Sequence, residues 1–122
     1  MTKETELLEV FDALPDLLAL AREIEARDGG YAYEIQNNLR EEHRKKGIPF
    51  KWSMPYRHID RCDQCDYYYT AIKHELENPR IKNRSSHLYQ VVIWDIDIHK
   101  IREHGQPFPD DCRAFLTQVA QE

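Results

Sequence analysis

The sequence predicts an all-α fold: a small bundle of five or six helices with one extended aromatic and proline-rich connector at residues 48–57. Two observations carry that prediction. Apolar residues recur at three- and four-residue steps through most of the chain, and Gly29, Gly47 and Gly105 follow three of those stretches where a helix stop is needed. The 122 residues, 41% hydrophobic and 32% charged, are enough for a single helical domain over 1–122 built on one core.

Residues 4–27 carry Leu7, Phe11, Leu14, Leu17, Leu18, Ala21 and Ile24 on a helical repeat. Pro15 has no N–H to donate, so it either kinks this helix or opens a second one at its first turn. Asp28-Gly29-Gly30 is a stop. A further helix is expected from Tyr31 to Lys46, with Ile35 and Leu39 one turn apart, a basic C-terminal end and Gly47 as its cap. In IPFKWSMPYR, residues 48–57, Ile48, Phe50, Trp52, Met54 and Tyr56 alternate with polar residues and prolines. That period of two marks extended backbone, and the prolines restrict it to a connector or an edge strand.

From His58 to Leu76, positions 58, 62, 65, 69, 72 and 76 step by four and three, which predicts a central helix ending before Asn78-Pro79. Residues 80–87 form a basic loop. Residues 87–104 fit either template, because Leu88, Val91, Trp94, Ile98 and Ile101 make a helical face while Val92 to Ile98 also alternate; the length favours helix. A last helix starts at Asp110 and turns Cys112, Phe115, Leu116 and Val119 inward.

The net charge of −5 argues against a general nucleic-acid binder, which needs a cationic face. No stretch reaches transmembrane length, the N-terminus lacks a basic-then-apolar leader, and three cysteines point to reduced thiols in the cytoplasm. Residues 1–28 carry eight acids and three bases and residues 40–61 seven bases and three acids, a polarity suited to a charged partner. The leading expectation is therefore a non-enzymatic cytoplasmic interaction or regulatory protein. It would bind another protein through Phe50, Trp52, Met54 and Tyr56 with the adjacent Arg44, Lys45 and Lys46, and a homo-oligomer is compatible with the same surface.

The alternative expectation is a metal protein. His58-x3-Cys62-x2-Cys65 puts an imidazole and two thiols on one helical face, a donor set suited to zinc, and Asp60, Asp63 and Asp66 add negative potential. The fourth ligand would come from Cys112, His99, His104 or His87. Core packing of the same stripe is the competing reading and is preferred, so no cofactor is expected outside the zinc alternative. A redox Cys-x-x-Cys is disfavoured, because interleaved aspartates raise the thiol pKa. His99 and His104 are five residues apart, about 140° out of alignment on a regular helix, which fails the zinc-hydrolase spacing of four. Were residues 91–99 a strand, Asp95, Asp97 and His99 would share a face able to hold a hard cation. Among Ser53, Ser85 and Ser86 none sits in a Gly-x-Ser-x-Gly elbow, so nucleophilic catalysis is not expected.

Glu6-x2-Glu9 followed by Glu25-x2-Asp28 resembles the ExxE…ExxD carboxylate set of the all-α nucleotide pyrophosphohydrolases. That resemblance, covering residues 6–28, implies a Mg²⁺-dependent nucleotide pyrophosphohydrolase acting on a nucleoside triphosphate, with the four acids holding the ion. It stands as a second alternative beside a solvated acidic face.

Overall fold

The structure, a computed structural model, describes residues 4–122. Four of the expected helices are present: α1 (Glu4–Ala13), α2 (Leu17–Asp28), α3 (Ala32–Lys46) and, at the end of the chain, α5 (Asp110–Gln121). Pro15 separates α1 from α2 rather than kinking one helix. Asp16 takes the N-cap, its carboxylate accepting from the N–H groups of Leu18 and Ala19. Gly47 caps α3 with φ 69°, a left-handed conformation that side-chain-bearing residues resist.

The all-α bundle is overturned between these helices. Residues 50–94 hold a three-stranded antiparallel sheet, β1 (Phe50–Arg61), β2 (Tyr68–Glu77) and β3 (Gln90–Trp94), in the order β1-β2-β3. The expected central helix does not exist: residues 58–61 finish β1, residues 62–67 turn, and residues 68–77 are the middle strand. The aromatic and β-branched run Tyr68, Tyr69, Thr70, Ile72 suits a pleated surface and pairs with the far half of β1, while the alternating residues 50–54 pair with residues 73–77. The prolines that argued against a strand are tolerated because β1 lies on the sheet edge. Its register shifts between Pro55 and Ile59, where the ladder is interrupted. The ambiguous 87–104 stretch divides: the Val-Ile run pairs with β2, and the chain then turns into α4 (Asp95–His104) with Asp95 and Asp97 in its acidic first turn.

Register assigns the two faces. Lys51 pairs with Leu76 and Leu76 with Val91, and Ser53 pairs with His74 and His74 with Ile93. Leu76, Val91 and Ile93 of this face pack with Leu7 and Phe11 of α1, Ile98 and Ile101 of α4, and Phe115 and Leu116 of α5. The opposite face carries Phe50 and Trp52, which pack with Leu17 under α2 and against Leu39 of α3. Arg44 of α3 reaches over this layer to make two hydrogen bonds, 2.7 and 2.8 Å, to the buried carboxylate of Glu77. Among the described residues no helix is long and apolar enough to cross a membrane.

Candidate metal centre

The hairpin loop after β1 begins at Cys62, whose N–H donates to the carbonyl of Tyr67 at 3.1 Å. That bond closes the loop so that Cys62 is buried while Cys65, three residues on, stays exposed. The N–H of Gln64 lies 3.4 Å from the Cys62 sulfur, an orientation that disperses thiolate charge. Both thiols are thereby presented towards the C-terminal half of α4. Lys100 pairs with Asp63 of the loop at 3.3 Å and holds the two segments together.

On the helix side stand His99 and His104. One ligand atom from each of Cys62, Cys65, His99 and His104 lies within 4.8 Å of the other three. The Cys65 sulfur is 3.4 Å from Nε2 of His99, and the two imidazoles pack edge to face with centroids 5.2 Å apart. Tyr67 stacks on His99 at 4.7 Å and 12°, which fixes the ring's orientation. Residues five apart meet here because the last turn of α4 is wide. The cap Gly105 donates its N–H to the carbonyl of Lys100, five residues back rather than four, so His104 swings towards His99.

The donor chemistry fits a tetrahedral soft or borderline cation: two thiols and two imidazoles from two segments, with an ammonium and an aromatic ring fixing the second layer. Nε2 of His104 is buried and has no hydrogen-bond partner among the described residues, a condition that normally costs free energy. A backbone hydrogen bond from Tyr67 favours the Cys65 thiolate, but desolvation, Cys62 and Asp66 outweigh it and keep this thiol above its ordinary pKa. A bound cation reverses that balance by replacing the proton.

His58 lies apart from this cluster. It is exposed, with Nε2 3.5 Å from Asp60 and its ring 5.7 Å from Trp94. Of the other fourth-ligand candidates, Cys112 is buried in the α5 core and its thiol is pushed up to about 12 by burial, while His87 sits in the loop before β3. The arm residues divide as well. Phe50 and Trp52 are core, with Arg40 stacked 4.2 Å over Trp52, whereas Met54 and Tyr56 are exposed beyond the cover of α2 and α3. Arg44 is committed to Glu77 and Lys46 to Glu42, leaving Lys45 on the exposed helix end. The acids Glu6, Glu9, Glu25 and Asp28 do not converge with one another. Glu25 accepts from the N–H of Ala32, and Asp28 pairs with Arg27.

Compared with models of known protein families, with curated proteins and with solved structures, the chain matches none.

Proposed function

We propose that this chain is a zinc-binding protein in which the ion serves as a structural clasp, held by Cys62, Cys65, His99 and His104. The observation that supports it is the convergence of four donors of the right softness from a hairpin loop and a helix end. Four protein ligands leave no open position for water or substrate, so the ion is structural rather than catalytic. Thiolates of this kind persist in a reducing compartment, so a cytoplasmic location is part of the proposal.

The test is the metal content of protein purified without chelators, followed by Co²⁺ substitution to read the coordination geometry. About one equivalent of zinc per chain is expected, lost in Cys62→Ser and kept in His58→Ala. Less than about a tenth of an equivalent, both as purified and after incubation with zinc, refutes the proposal.

A second reading rests on the uncovered part of the sheet, where Met54, Tyr56 and Val92 are each more than a third exposed. Such a group of aromatic and apolar side chains supports a protein partner docking on the second face beyond Trp52. Loss of partner capture in Met54→Asp and Tyr56→Ser, with an unchanged melting temperature, checks it.

A further inference from the structure

Three side chains outside the metal centre form a polar chain across the sheet. Ser53 of β1 and His74 of β2 are cross-strand partners, and Ser53 Oγ lies 2.7 Å from His74 Nδ1. On the other side of the ring, His74 Nε2 lies 2.7 Å from an Asp95 carboxylate oxygen at the start of α4. His74 is 7% exposed and Phe11 packs edge to face against it at 5.1 Å, so the imidazole cannot turn freely. The carboxylate only accepts, so the proton of a neutral ring resides on Nε2. Nδ1 is then a bare acceptor aimed at a serine hydroxyl, the relation a nucleophile needs with its base.

The hydroxyl is also approachable. Ser53 and His74 line a surface cavity of about 330 Å³, walled on its apolar side by Leu18, Pro55 and Ile72. Lys51 and Arg22 line it too, and Lys51 is two residues from Ser53 on the same strand face. The Lys51 ammonium donates to the Phe11 carbonyl at 2.8 Å and lies 4.2 Å from the Phe11 ring centroid, a cation in the cavity wall that favours a developing oxyanion. Asp16, the acid in this wall, uses Oδ1 to cap α2 and to accept from the Ser53 N–H.

We propose that Ser53, His74 and Asp95 form a hydrolytic triad acting on small carboxylic esters, with Ser53 as nucleophile, His74 as general base and acid, and Asp95 as the positioning residue. Ser53 Oγ attacks the ester carbonyl carbon while its proton passes to His74 Nδ1. The tetrahedral intermediate expels the alkoxide, which takes that proton and leaves as alcohol, with the acyl group on Ser53. Water attacks the acyl carbon and gives a proton to His74. The carbon–Oγ bond breaks, the carboxylic acid departs, and the proton returns to Ser53. The cavity volume sits near the lower end for small-molecule sites, which restricts the acyl group to a short one. This activity does not depend on the zinc reading.

The full chain is treated with an alkyl fluorophosphonate, the adduct is located by peptide mass spectrometry, and hydrolysis of p-nitrophenyl acetate is followed in parallel. The adduct is expected on Ser53, with Ser85 and Ser86 in the loop before β3 unmodified as internal controls. Ser53→Ala is expected to lower ester hydrolysis by about 100-fold or more. Asp95→Asn is expected to slow labelling by a similar factor, and Asp95→Glu to recover part of it. A folded wild-type chain that acquires no adduct at Ser53 overturns the proposal without recourse to any variant. Labelling of Asp95→Asn at the wild-type rate overturns it equally.

Discussion

Replacing His104 by Phe separates a metal clasp from a fortuitous cluster, because the sign of its effect should depend on zinc. Phe keeps a ring against His99 but removes the buried nitrogen that has no partner among the described residues. Without metal, deleting such an atom recovers about 1 kcal/mol or more. With 122 residues and an unfolding entropy of about 2.1 cal/mol/K per residue, 1 kcal/mol corresponds to about 4 °C in Tm. The variant should therefore melt at or slightly above wild type in chelator. With free zinc at about a thousand times Kd, binding stabilises the wild type by about 4 kcal/mol, or about 16 °C. The variant keeps only three ligands and should lose most of that gain. Differential scanning calorimetry of both chains in zinc and in EDTA reads all four values. A wild-type Tm that moves by less than about 1 °C between zinc and EDTA would refute the reasoning, since a four-ligand site that exists only in the folded chain cannot bind tightly without stabilising the fold.

Further outcomes follow from the packing and the charges. Trp52→Ala should cost about 3–5 kcal/mol and Tyr56→Ala less than about 1, measured by urea denaturation, because the first is core and the second half-open. Arg44→Ala should cost about 2 kcal/mol by the same assay, since it removes two charged hydrogen bonds from the buried Glu77. Cys112 has its thiol raised from 9.0 to about 12 in the fold, so its contribution is complete below pH 9 and is lost as pH climbs towards 12. Between pH 9 and 11 the wild type should lose up to about 3 kcal/mol more than Cys112→Ala does, read from denaturation midpoints across that range.

The helices were legible where local signals act alone. Pro15, Gly47 and the Asp110 start all lie where the chain needs them, and each works through its immediate neighbours. The sheet was hidden because strand identity depends on pairing. The alternation of residues 48–57 was visible, but the segment that pairs with it, residues 68–77, also satisfies a helical step through Tyr69, Ile72 and Leu76. Only the hairpin closed by Cys62 and Tyr67 decides between them. The two cysteines stood out from their spacing, and His99 and His104 were among the candidate partners. Their joint use was obscured by measuring five residues against a regular turn, which the Gly105 cap widens. Ser53, His74 and Asp95 are 21 residues apart at each step and share no local pattern, so topology alone brings them together.

The separation of Cys65 from His99, 34 positions along the chain, has a kinetic corollary. The β1–β2 hairpin is a local structure, whereas the helix that supplies both imidazoles must first be delivered by β3 docking on β2. Loop closure over that distance places it late in the folding order. Tight ion capture thus belongs to the nearly finished molecule, and zinc should slow unfolding while leaving the refolding rate almost unchanged. The ion would then act as a latch on a completed architecture rather than as a seed for building it.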